Sequence, residues 1–123
     1  MTTIDPTVTQ EGDGSIRKYE FVELTTTNDD GAPIALGAWC DCSIQVTGTF
    51  GTGGTLSWEG SNDGGTTWAT LNDVNGTALD IQSAGVEHCQ VPAELVRPHI
   101  TAGDGSTDLD VTVICHRPTG MRQ

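Results

Sequence analysis

The chain has 123 residues, room for one domain with one core and too few for a propeller of four or more blades. Seventeen Asp and Glu against five Lys and Arg give a formal net charge of -12, a field that argues against nucleic acid as a partner. No apolar run of about 18 residues occurs, and the N-terminus lacks the apolar stretch of a signal peptide, so neither a membrane partner nor a leader is expected and the product should be soluble in a cytoplasm.

Residues 1–16 are rich in Thr, Asp and Gly, with Ile4, Val8 and Ile16 as their only sizeable apolar groups. Such a segment buries too little surface to order itself and is predicted to be an extended arm. The folded domain is expected over 17–118 and a short tail over 119–123. Within the domain, apolar stretches recur near 18–24, 34–39, 40–50, 55–60, 67–71, 77–82, 86–92, 94–101 and 108–116, separated by turn clusters such as NDDGAP, GTGG, SNDGG and AGDGST. No window carries a helical apolar stripe, and 16 glycines with five prolines oppose long helices. An all-β fold follows: a single antiparallel β-sandwich, immunoglobulin-like or jelly-roll-like. Shared parity along successive strands places Ile44, Val46, Leu56, Trp58, Trp68, Leu79, Ile81, Val111 and Val113 in its core.

In WCDCSIQVTGTF, Cys40 and Cys42 fall on the face of Ile44, Val46 and Phe50; Cys89 goes with Val91, and Cys115 with Leu109, Val111 and Val113. Parity favours reduced thiols in the core. Disulfides from the C-x-C strand to Cys89 or Cys115, and a four-thiolate zinc site, are the alternatives; the latter lacks knuckle spacing, and no metal or cofactor is expected. His88 and His116, each beside a cysteine, point to the opposite faces, and His99 is isolated. From Cys42 to Trp58 the chain carries no charge, which suits a hairpin sheltered between sheets or a neutral contact surface.

SNDGGTTW, residues 61–68, resembles the Asp-box of sialidase-type propellers, but occurs once, and few arginines are present to grip a sialic acid carboxylate. Its mechanics are local. Asp63 can accept backbone N–H groups across a turn begun by Ser61, Gly65 can supply a positive φ, and Trp68 can anchor the next strand, so these residues are read as turn-stabilising. Further along, Pro98 argues for an edge or bulged strand. The acidic turns at 12–14, 28–31 and 103–110 miss the EF-hand pattern and are read as solvated. GxSxG, HExxH and a phosphate-cradling loop are all missing, so no catalytic residue is assigned and no enzyme is expected.

Two stretches, VTGTFGTGGTLSWEGSNDGGTTWATLNDVNGTAL at 46–79 and VRPHITAGDGSTDLDVTV at 96–113, resemble small virion proteins of tailed bacteriophages, above all the capsid decoration or cement proteins. The resemblance implies a β-sandwich that binds the outside of a head lattice and reinforces it: a non-enzymatic virion protein made in the host cytoplasm. Its partners would be the major capsid protein and neighbouring copies of itself, a trimer being favoured. Thr2, Ile4, Pro6, Val8 and Ile16 in the arm would then order on the lattice or on a neighbouring copy. A tail or fibre module binding a carbohydrate or host-surface ligand is the competing reading, and would need aromatic rings exposed as a platform.

Overall fold

Alternation of apolar and polar side chains along each strand gives two sheets with one oily face apiece, and those faces meet. The computed structural model describes residues 3–11 and 14–117. One sheet holds β1 (Thr7–Glu11), β2 (Ile16–Thr25), β10 (Asp108–His116), β4 (Asp41–Thr49) and β8 (Gly85–Cys89), in that order across the layer. The second holds β3 (Ile34–Ala35), β9 (Leu95–Ala102), β5 (Thr55–Ser61) and β6 (Ala69–Thr70), with β7 (Asp80–Ile81) beside β6 on the same flank of β5. Every strand pair is antiparallel. The protein is thus an all-β sandwich, with no helix among the described residues.

Between the layers lie Tyr19, Phe21 and Leu24 of β2, Ile44 and Val46 of β4, Leu56 and Trp58 of β5, and Leu109, Val111 and Val113 of β10, all buried. Each large side chain so placed contributes about 1.5–3 kcal/mol. Of the residues expected in the core, all but Trp68 are there. Trp58 has one unmet need, since its buried indole N–H finds no acceptor among the described residues. The orphaned donor costs about 1–3 kcal/mol, which burial of about 200 Å² of ring offsets.

A bulge lets β2 keep both Phe21 and Leu24 inward. Val111 pairs with Phe21 and Leu109 with Leu24, so Val22 and Glu23 together face Asp110. Glu23 takes a left-handed φ of 62°, and its N–H donates to the Asp110 carboxylate at 3.1 Å. The side chain two residues past Phe21 would otherwise follow the pleat and point inward; the extra residue hands that place to Leu24.

Three expectations change. Residues 3–11 of the presumed arm are laid on the body: β1 pairs with β2 along its full length, Ile4 donates its N–H to the Asp30 carbonyl at 2.9 Å, and Ala32 donates to Ile4 at 2.8 Å. Backbone hydrogen bonds, which composition does not reveal, order this segment on the chain itself. Second, the uncharged stretch is no hairpin, because β4 and β5 lie in different sheets and the GTGG turn crosses from one to the other. Third, of the two readings of the Pro98 strand the edge is replaced and the bulge holds: β9 lies inside the order of its sheet, its pairing with β5 slips by one residue at Thr101, and Pro98 sits between Trp58 of β5 and the loop residues Asp30 and Gly31. Gly31 donates to the Pro98 carbonyl at 2.9 Å; a residue's N and O point to the same side of a strand, so the missing N–H falls on this irregular side and takes no bond from the ladder to β5.

Candidate functional site

The turn at 61–68 is built by its own polar groups. Asp63 Oδ1 accepts the Ser61 hydroxyl at 2.7 Å and the N–H groups of Thr66 and Thr67 at 3.1 and 2.9 Å. Ser61 Oγ accepts the Gly65 N–H at 3.0 Å, and the Trp68 indole donates to the Gly65 carbonyl at 2.9 Å. Gly64 and Gly65 have φ of 75° and 94°, angles that suit glycine. The N–H donors, Thr67 first, and the Ser61 hydroxyl hold the Asp63 carboxyl down at about 2. A second clasp ties the turn to the segment before β9: Gly64 donates to the Glu94 carboxylate at 2.9 Å and Glu94 donates its N–H to Asn62 Oδ1 at 2.8 Å. Ser61, Asp63, Gly65 and Trp68 therefore meet as a stapled turn joining β5 to β6.

Two further aspartates repeat the device. Asp73 Oδ1 accepts the N–H groups of Asn75 and Thr77, and the Asp104 carboxylate those of Thr52 and Ser106. Thr52 and Ser106, in that order, lower the Asp104 pKa below its ordinary value. The acidic turn at 103–107 thus spends its carboxylate on backbone donors, and its Thr107 hydroxyl caps the Phe50 carbonyl at 2.7 Å.

Trp68 is corrected from core to outer face. Its ring is half-buried on the outside of the second sheet, with the Arg97 guanidinium 4.2 Å from the ring centroid. Beneath that stack lies a charge cluster that reading the sequence missed. Glu59, 8% exposed, accepts Arg97 Nε at 2.9 Å and meets His99 Nδ1 at 3.0 Å. Arg97 also reaches Asp30 at 3.3 Å, and His99 Nε2 lies 3.5 Å from Asp29. β5 opposes Ser57 to His99 and Glu59 to Arg97 across the ladder, and the loop carrying Asp29 and Asp30 hydrogen-bonds along β9. Sequence separations of 38 to 67 residues hid these pairs; the signal available was a Glu among outward positions of one strand and Arg and His at alternate positions of another.

Ser57, His99 and Glu59 are the residue types of a nucleophile, a base and its orienter. Their connections differ from such a set: both imidazole nitrogens face carboxylates, and the Ser57 hydroxyl donates to Asp80. A triad needs the base to accept the nucleophile's proton, and here that proton points to a carboxylate on another strand. The cluster's chemistry is mutual neutralisation of Glu59 and Arg97 on a covered face.

Cysteines occupy the opposite layer. Cys42, Cys89 and Cys115 are buried, while Cys40 precedes β4 and is half-exposed. Cys42 opposes Cys115 on one side and Cys89 on the other, a row of three thiols across β10, β4 and β8. The sulfurs of Cys42 and Cys115 are 3.4 Å apart. When one thiol of the pair ionises it accepts the S–H of the other, so the two shift in opposite directions. Donation to Cys115, followed by burial, pushes Cys42 far up, and the same bond, helped by Arg17, holds Cys115 down. Cys89 is pushed up by burial, and its sulfur lies 3.6 Å from the Asn72 carbonyl oxygen. Among the described residues no group of three or more His, Cys, Asp or Glu is placed to hold a metal.

Of the presumed contact residues, Ile4 packs against the core, Pro6 and Ile16 are half-buried, and Val8 is 54% exposed on the edge strand. Thr2, like residues 119–123, lies outside the described residues.

The outer face of the first sheet is of another kind. Its centre is formed by Ser43 and Gln45 of β4, Thr112 and Ile114 of β10 and Val86 of β8, neutral neighbours in register. Charges stand around it: Lys18 and Glu20 on β2, Asp108 and Asp110 of β10 opposite Thr49 and Thr47, and an ion pair of His88 with Asp41. Two open clefts complete the surface. One of about 380 Å³ is lined by Asp63, Ala69, Leu71, Val91 and Ala93, the other, of about 410 Å³, by the segment from Asp73 to Glu87. Compared with protein-family models, with curated proteins and with solved structures, the chain matches none.

Proposed function

We propose that this chain is a non-enzymatic virion protein that binds the outer surface of a phage head lattice and stabilises it, using the outer face of the first sheet. The observation that carries the reading is the neutral centre of that face in a chain of net charge -12. Charge depletion marks the middle of protein contact surfaces, and a pleated face five strands wide suits a repetitive protein surface. The resemblance at 46–79 and 96–113 supports the partner, the major capsid protein, and supports self-association, a trimer being favoured. Val8, 54% exposed on the edge strand β1, is an apolar residue of the N-terminal segment placed to touch a neighbour.

A sugar-binding tail or fibre module gains no support from the aromatic rings. Tyr19, Phe21 and Trp58 are buried, and Trp39, Phe50 and Trp68 are half-buried, so no flat ring is offered. The test is co-sedimentation of the purified chain with heads of the phage that encodes it. Saturable binding that raises the temperature at which heads open is the expected result; recovery with tails and not with heads would overturn it.

A further inference from the structure

We propose that Cys42 and Cys115 form an oxidation site, which a hydroperoxide converts into an internal disulfide joining β4 to β10. The proposal goes beyond the binding reading and does not depend on it. Its basis is geometric: the two residues are direct partners across the ladder, and their sulfurs already touch at 3.4 Å. Opposed residues hold their Cβ atoms about 4.5–5.5 Å apart, against about 3.5–4.5 Å in a disulfide. Closing the bond therefore needs a local shift of roughly an ångström within an intact pair of strands.

Position adds a route. Cys115 opposes Arg17 on its other side, and Arg17 has inward parity with Tyr19 and Phe21. Its guanidinium stacks 3.6 Å from the centroid of Trp39, with Arg117 5.4 Å from the same ring, and the Trp39 indole donates to the Gly14 carbonyl. The end of the core next to the thiols is thus closed by stacked side chains and not by a strand. Side chains open more readily than a ladder, and a hydroperoxide is small and neutral. Arg17 also favours the thiolate form of Cys115, the form that reacts.

The chemistry balances with the peroxide as sole oxidant. The Cys115 thiolate attacks one peroxide oxygen and the O–O bond breaks; the departing oxygen takes a proton and leaves as water, and Cys115 becomes a sulfenic acid. The Cys42 sulfur then attacks the Cys115 sulfur, the S–O bond breaks, and hydroxide leaves as water with the proton that Cys42 gives up. Two thiols lose two electrons in all, and hydrogen peroxide gains them as two waters. Cys89 does not compete, because its sulfur is turned to the Asn72 carbonyl on the far side of Cys42. The link would close a loop between residues 73 apart and tie together two interior strands of the first sheet.

To test this, the folded chain is treated with hydrogen peroxide, denatured in an alkylating reagent, digested and mapped by mass. The expected result is loss of alkylation at Cys42 and Cys115 together, a peptide pair joined through them and cleaved by reductant, and a higher melting temperature for the oxidised protein. In Cys42→Ser the reaction should stop at Cys115 as a sulfenic acid captured by dimedone. Should that variant fail to fold, Cys40→Ser, which removes the half-exposed thiol, still gives the link. Oxidation of Cys40 while Cys42 and Cys115 remain alkylatable would overturn the proposal, as would a link between Cys42 and Cys89.

Discussion

The two outer faces of the sandwich are made from strands of the same kind and differ in what their polar groups do. On the second sheet every outward side chain of β5 is buried: Ser57, Glu59 and Ser61 are covered by Arg97, His99, Trp68 and the loops, and each has a partner within the chain. The first sheet leaves Gln45, Thr47 and Thr49 exposed along β4, with no cover from any loop. A face whose groups satisfy one another contributes to folding and is closed to a partner. A face with a neutral, uncovered centre contributes little to stability and costs little to desolvate there, which suits the docking role we propose for it.

Breaking the covered face should have the largest effect. Arg97→Ala leaves the buried Glu59 carboxylate with His99 alone and strips the stack from Trp68, so the loss should be about 3 kcal/mol by urea denaturation. Adding Glu59→Gln in that background should restore part of it, because the orphaned charge is gone. If the double variant is as unstable as the sum of the singles, the coupling is absent. Next is Trp68→Ala, which removes a half-buried ring and its cation contact and should cost about 2 kcal/mol; no change in stability would return Trp68 to the role of a passive surface group.

Asp63 gives a smaller, pH-dependent effect. Its folded pKa, about 2, lies below the ordinary value of 3.8, so its contribution is fully present above about pH 4 and is lost as pH falls toward 2. Asp63→Asn should lower the melting temperature at neutral pH and flatten its decline across that window; an acid limb parallel to that of the parent would show that the carboxylate does not hold the turn. Smallest of all, on stability, is the pair Gln45→Lys with Thr112→Lys on the open face, expected to stay within about 0.5 kcal/mol of the parent.

Periodicity carried most of the fold. Strands with one buried face, such as β4 and β10, announce themselves because the alternation of Cys42, Ile44 and Val46 with Ser43, Gln45 and Thr47 has one physical meaning. The Asp63 turn was legible for the same reason of locality, since donors and acceptor lie within a few residues. β1 was not, because Thr7–Glu11 has no apolar face and is ordered by its ladder to β2. Trp68 was misplaced because a large ring at the end of a turn, just before a short edge strand, finds cover as readily under a long cation as in a core. The Glu59 cluster needs the register of β5 on β9 and the path of the 28–31 loop, both set by tertiary packing.

The central claim is that the open face of the first sheet makes the contact, and the most direct measurement is the affinity of the doubly substituted Gln45→Lys, Thr112→Lys chain for purified heads beside that of the parent. Each lysine places a charge at the centre of a desolvated contact, so binding should fall by at least tenfold while the melting temperature holds, a loss of about 1.4 kcal/mol or more. Equal binding by parent and variant would assign the contact to another surface; failure of the parent itself to bind heads would contradict the decoration reading.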